Sequence, residues 1–98
     1  MTFAELKAAT QDKDFSQFSS DTELCLWQAK VEGWEKAHII VESLPEPAAS
    51  WIHAMIHREE GDAGNASYWY YRAGKTMPAD SLSYDEEWEQ IAKSLLDS

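Results

Sequence analysis

Cysteine is almost missing from this sequence, which contains only Cys25. A single cysteine excludes a framework of internal disulfide bonds and is typical of proteins from a reducing compartment. The sequence also lacks an uncharged apolar run long enough to span a bilayer, and it has no basic-then-apolar opening of the kind that marks a signal peptide. We therefore expect a soluble, cytoplasmic protein.

Basic residues are also scarce: eight Lys and Arg stand against 18 Asp and Glu, for a formal net charge of −10. Such a charge repels phosphate backbones and anionic lipids, so we predict that the protein binds neither nucleic acid nor a membrane surface. It suits a neutral or basic partner, although acidic side chains that simply solvate the surface are the plainer interpretation.

Glycine and proline are few, at four and three residues, and they stand where helical periodicity breaks. No stretch shows sustained apolar alternation, so strands receive no support and the pattern predicts an all-α protein of about five to six helices. With 44% hydrophobic residues, 98 residues suffice for one domain. We expect a single domain over 1–98, with antiparallel hairpins over about 20–74 and a closing helix over about 83–97.

Capping residues and helix breakers divide the chain into these helices. Residues 10–19 read as a polar loop that contains Phe15 and Phe18, and Pro47 suits the first turn of a helix. The last helix carries an apolar stripe of Tyr84, Trp88, Ile91 and Leu95. The predicted starts are Thr2 with Glu5, Ser20 with Glu23, Asp62, and Ser83 with Glu86; the predicted stops are Gly33, Pro45, Gly61 and Gly74.

The hairpin region resembles helical repeats. A weak internal repeat relates the stretch after Gly33 to the stretch after Gly61, and the second stretch resembles the second helix of a tetratricopeptide or Sel1-like repeat. This resemblance implies a tetratricopeptide-like right-handed array of hairpins. The residues on that spacing are Gly61, Asp62, Ala66, Tyr70, Ala73 and Pro78.

A second resemblance covers residues 24–78. The segment HREEGDAGNASYWYYRAG, from His57 to Gly74, is similar to the HR-x-EGD-x-x-NA-x-YWY-x-x-AG core of a family of small bacterial and fungal proteins. The resemblance supports the helical hairpins and implies no particular activity.

Histidines supply the first candidate site. At about 100° per residue, His53, His57 and Glu60 share one helix face, nearly opposite Ile52 and Met55. Two imidazoles four residues apart with a carboxylate three residues on can hold a divalent metal ion. His38 lies on a neighbouring helix and can approach them. The alternatives are hydrogen-bonded histidines at a helix interface, a solvated polar face and, for His38, an ordinary core histidine.

The following helix supplies further candidates. If the hairpin closes at Gly61, a polar and aromatic second face approaches the histidines, and arginines there would anchor a carboxylate or phosphate. The alternative interpretation pairs Arg58 or Arg72 with Glu60 or Asp62 as a lock on the turn, and the YWYY run then serves packing. The predicted ligand-binding residues are His53, His57, Glu60, Asn65, Tyr68, Tyr71, Arg72 and Arg58.

Three functions remain open at this point. The first is a module that binds a protein, a peptide or a small anionic ligand through a His/Tyr/Arg-lined groove, without a cofactor. The second is a metal-binding protein or small metal-dependent enzyme that uses His53, His57 and Glu60. The third is a structural subunit of an oligomer. Nucleophilic catalysis is disfavoured, because Cys25 lies in an apolar helix and no phosphate-binding glycine loop is present.

Overall fold

The computed structural model describes residues 1–13 and 18–97, and over those ranges it contains six α-helices and no strand. The predicted all-α class is therefore confirmed, and the tetratricopeptide-like right-handed array stays a prediction. The helices are α1 (Phe3–Asp12), α2 (Asp21–Val31), α3 (Trp34–Val41), α4 (Ala48–Glu60), α5 (Ala63–Ala73) and α6 (Tyr84–Asp97).

Helix α4 is the centre of the fold, because it packs against α2, α3, α5 and α6. Neighbours cover nearly the whole circumference of this helix, so the alternative of a solvated polar face does not apply at His53, although His53 and His57 do share one side of α4. His53 and Arg58 are buried together with the apolar residues. The buried residues of α4 are Ala48, Ala49, Ser50, Ile52, His53, Ala54, Met55, Ile56 and Arg58.

The predicted caps form at most helix starts. Thr2 and Glu5 make a reciprocal capping box at α1, and a second one joins Ser83 to Glu86 before α6. At α2 only half of the predicted box exists. Ser20 caps the helix, but the Glu23 carboxylate accepts hydrogen bonds from the Ser19 N–H and hydroxyl.

Some helix ends differ from the prediction. Helix α1 continues through Asp12, so the loop predicted from residue 10 begins later; Phe15 lies outside the described residues. Helix α3 already ends at Val41, where two hydrogen-bonded turns lead to Pro45. Pro47 is the N-cap of α4 and not a residue of its first turn. Such shifts are the ordinary uncertainty of helix ends, where terminal turns fray.

Helix α6 closes the domain by packing on α1, α2 and α4. Trp88 and Ile91 of the predicted stripe are buried, and the Trp88 indole donates a hydrogen bond of 2.8 Å to the Leu26 carbonyl. Tyr84 is 48% exposed and does not belong to the core. Among the described helices, none is long and apolar enough to cross a membrane.

Candidate functional site

All three histidines of the chain meet where α3 packs against α4, and we call His38, His53 and His57 the histidine cluster. His38 lies in the last turn of α3, while the other two occupy successive turns of α4. One ring nitrogen from each lies within 4.8 Å of the others. The closest pair is the Nε2 atoms of His38 and His53, which are 3.1 Å apart.

Ring stacking holds this cluster in a definite orientation. The His53 ring stacks on Trp69 of α5, with centroids 4.0 Å apart and planes inclined by 17°. The His57 ring is nearly parallel to His53 at 4.8 Å. His38 approaches both edge-on, at 75° and 81°. The Nε2 atom of His53 is therefore directed at His38 by a ring whose plane Trp69 constrains.

Burial keeps His53 neutral near pH 7. The residue is only 4% exposed, and burial, with smaller contributions from His57, His38 and Arg72, lowers the pKa of its imidazole to about 4. Glu46 acts in the opposite direction but is outweighed. A neutral imidazole keeps a lone pair, which is the form that binds a metal ion.

Two carboxylates flank His57 on the side of the α4–α5 turn. The Oε1 atom of Glu60 lies 3.8 Å from the buried Nδ1 of His57, which has no hydrogen-bond partner among the described residues. The Asp62 carboxylate accepts two hydrogen bonds from Asn65, which lower its pKa. Of the residues predicted to share a site, His53 and His57 do meet, whereas Glu60 approaches His57 alone and Asn65 caps α5.

Arg58 points away from the histidine cluster and is 8% exposed. Its guanidinium donates to Glu87 at 3.1 Å and to the carbonyls of Ala79 and Leu82. The Tyr70 hydroxyl donates to the other Glu87 oxygen. The predicted lock of Arg58 on Glu60 or Asp62 is therefore wrong, because α6 brings Glu87 within reach.

The remaining predicted residues lie on the outer side of α5. Arg72 is exposed, with its guanidinium 5.0 Å above the Trp69 ring and 6.0 Å above the Tyr68 ring. Tyr68 and Tyr71 are 53% and 84% exposed. Of the residues predicted to line the groove, only His53 and Arg72 line a cavity beside the histidine cluster. Its volume is about 200 Å³, and its lining residues are Glu42, Glu46, Ala49, His53, Trp69 and Arg72.

The sequence alone did not single out Glu42, Glu46 or Trp69 as site residues. Trp69 belongs to the YWYY run, which one interpretation of the sequence assigns to packing, although its position one helical turn from Arg72 also suggests the cation–π contact. The two glutamates lie around the connection between α3 and α4, which carries no recognisable motif. A larger cavity of about 490 Å³, lined by Arg58, Met77 and Tyr84 among others, includes none of the three histidines.

The chain matches no protein family, no curated protein and no solved structure. What the site does must therefore follow from its own side chains. They combine three imidazole rings, one of them constrained by Trp69, with a carboxylate beside His57, and imidazole nitrogens are common ligands of transition-metal ions.

Proposed function

We propose that the protein binds a late first-row divalent metal ion, with Zn²⁺ as the reference ion, through His38, His53 and His57. The observation that carries the proposal is the approach of one nitrogen from each ring to within 4.8 Å of the others. Zinc–nitrogen bonds are about 2.0–2.1 Å long, which separates two nitrogens on one tetrahedral ion by about 3.3 Å. The 3.1 Å between the Nε2 atoms of His38 and His53 is close to that separation.

The same distance is that of a hydrogen bond between two neutral imidazoles, one donating and one accepting. In the metal-free chain this bond holds the pair together. When a metal ion binds to both Nε2 atoms, the donating ring changes tautomer and carries its proton on Nδ1, so both rings bind as neutral imidazoles without net proton release. The cluster needs little rearrangement for these two ligands, because Trp69 already constrains the His53 ring.

His57 completes the set of three by a ring rotation. Its plane is now within 16° of His53, and rotation about the bond to the ring turns a nitrogen from that stack toward the ion. Glu60 beside Nδ1 then orients the ring, as carboxylates commonly do for metal-bound histidines. Three protein ligands leave one tetrahedral position for water or another small ligand.

The test is a calorimetric titration of chelator-stripped protein with ZnCl₂, followed by thermal unfolding with and without the ion. We expect one ion per chain. An ion present at 100 times its dissociation constant stabilises the fold by about 2.7 kcal/mol. For a domain of this size, that free energy raises Tm by about 10 °C.

Single-residue variants assign the ligands. His38→Gln, His53→Gln and His57→Gln should each weaken binding by more than about tenfold, and Glu60→Gln by about tenfold. Cys25→Ala is the matched control, because its thiol is buried, donates to the Ala37 carbonyl and has a pKa raised by burial to about 12. Unchanged affinity in His38→Gln and His53→Gln, with the fold intact by circular dichroism, would overturn the proposal.

A further inference from the structure

The cavity lined by Arg72 carries charges of both signs, and we call it the Arg72 cavity. Glu42 caps the end of α3, Glu46 precedes α4, and Arg72 lies in the last turn of α5, so three separate segments contribute to it. Neither glutamate forms an ion pair with Arg72 in the part of the chain that the structure describes. Opposite charges therefore face one small space without neutralising one another directly.

Two of these charged groups are held in place by neighbours. The guanidinium of Arg72 lies 5.0 Å above the Trp69 ring, in a cation–π contact. The Glu46 carboxylate accepts hydrogen bonds from the hydroxyl and the N–H of Ser50, at 2.9 and 3.3 Å. Ser50 is fully buried, so it anchors Glu46 to the core of α4. The positions of Arg72 and Glu46 are thus set before any ligand arrives.

We propose that the Arg72 cavity binds a small zwitterion, namely a free α-amino acid. Arg72 would receive the ligand's carboxylate, and Glu46 with Glu42 would receive its ammonium group. Ala49 and the Trp69 ring supply the apolar surface for the ligand's carbon atoms. The inference goes beyond metal binding and does not depend on it, because none of these contacts requires an ion on His53.

The charge pattern separates a zwitterion from simpler ligands. A plain carboxylate, as expected from the predicted anionic ligand, would meet Arg72 but also two repelling glutamates. A plain amine would meet the glutamates but also the repelling guanidinium. Only a ligand with both charges satisfies the two ends at once. The volume of about 200 Å³ accommodates a small amino acid such as alanine.

The experiment is a titration of the full, ¹⁵N-labelled chain with L-alanine in the presence of a chelator, followed by amide chemical shifts. We expect saturable shifts at Ala49, Trp69 and Arg72. Two probes test the charges: propionate lacks the ammonium group, and L-alaninamide lacks the carboxylate. Each should bind at least about tenfold more weakly than L-alanine, because each leaves a charged group of the cavity unpaired.

Arg72→Gln and Glu46→Gln should each weaken L-alanine binding by about tenfold or more. Glutamine at position 46 keeps an acceptor for Ser50. The matched controls are Lys75→Gln, whose ammonium lies over Trp51 outside the cavity, and Glu35→Gln on the exposed side of α3. Both controls should bind as the unmodified chain does.

Three results would overturn the inference. Saturable binding of propionate as strong as that of L-alanine would make the cavity an anion site, and equal binding of L-alaninamide would make it a cation site. Absence of shifts at roughly tens of millimolar L-alanine, where weak ligands of this size are detected, would exclude the site altogether. A normal zinc titration in any of these cases would leave the metal proposal standing, and a failed one would not affect L-alanine binding.

Discussion

Two clusters of polar side chains include residues of α4, and they differ in how completely their members are hydrogen-bonded. The first joins Arg58, Glu87 and Tyr70, in which a cation, an anion and a hydroxyl satisfy one another. The second is the histidine cluster, in which three bases face one another and a buried nitrogen of His57 has no hydrogen-bond partner within the described residues. Buried polar groups with complete partners serve folding, whereas buried groups that lack them need another explanation, such as a ligand.

The ion network of Arg58, Glu87 and Tyr70 is a cluster in which the charged groups have partners. Glu87 is 3% exposed, and its two oxygens accept from Arg58 and Tyr70. Burial, together with the neighbouring Glu87, raises the pKa of Tyr70, so its hydroxyl stays protonated and able to donate. Arg58 also ties the segment before α6 to α4 through the Ala79 and Leu82 carbonyls. Removing one partner leaves the others buried and unpaired.

The largest effect should come from breaking that network. Arg58→Ala leaves the Glu87 charge buried without its partner and should lower the free energy of unfolding by about 3–5 kcal/mol. Urea denaturation measures this change. The matched control is Lys7→Ala, which removes the partly exposed Lys7–Glu89 pair, 3.7 Å long, and should cost less than about 1 kcal/mol. Similar losses in the two variants would contradict the distinction.

The second effect concerns pH and the histidine cluster. In the folded, metal-free chain the pKa of His53 is about 4, against an ordinary value of 6.5, because burial disfavours the charged ring. Between these two pH values His53 is protonated in the unfolded chain but not in the folded chain. The free energy of unfolding therefore falls as pH is lowered from 6.5 toward 4. The expected loss in the free energy of unfolding, from this one group, is about 3 kcal/mol.

Urea denaturation of chelator-treated protein, repeated from pH 7 to pH 4, measures this loss of stability. His53→Gln removes the titrating ring, and we expect its stability to depend less steeply on pH over this range. Ionisable groups far from the cluster contribute equally to both proteins, so the difference between the two curves reports His53 together with its coupling to the neighbouring charged groups. Parallel curves would show that another group causes the dependence.

The third and smallest effect compares two neighbouring tyrosines. Tyr70→Phe removes the hydrogen bond to Glu87 in the buried network and should cost about 1–3 kcal/mol in unfolding free energy. Tyr71 is 84% exposed, and Tyr71→Phe should change stability by less than about 0.5 kcal/mol. Thermal or urea denaturation of both variants makes the comparison. A larger loss in Tyr71→Phe would assign the exposed ring a structural role that its contacts do not show.

Local signals in the sequence predicted the helices well. The capping boxes at Thr2 and Ser83, the N-cap Asp62 and the stop at Gly74 all depend on residues within four positions of one another. Gly74 indeed has a backbone φ of 71°, a conformation that suits glycine and ends α5. Such short-range chemistry can be read along a chain without knowing its fold.

Long-range contacts were not predictable in the same way. Glu87 stands in the first turn of α6, where an acidic residue is explained by the helix dipole alone, so nothing marked it as the partner of Arg58. His38 was recognised as able to approach α4, but its 3.1 Å contact with His53 depends on how α3 packs. The burial of His53 and Arg58 was not predictable either, because helical periodicity does not reveal that four other helices pack around α4.

Gathering every histidine of the chain into one cluster has a consequence for proton exchange. Histidine is the side chain whose charge ordinarily changes between pH 5 and pH 8. Here the three imidazoles adjoin one another, and His57 and His38 contribute to the lowered pKa of His53, so a positive charge on a neighbouring ring disfavours protonation of His53. Any change in bound protons that accompanies zinc binding, measured as the heat of binding in buffers of different ionisation enthalpy, therefore reports on the three rings as one coupled unit.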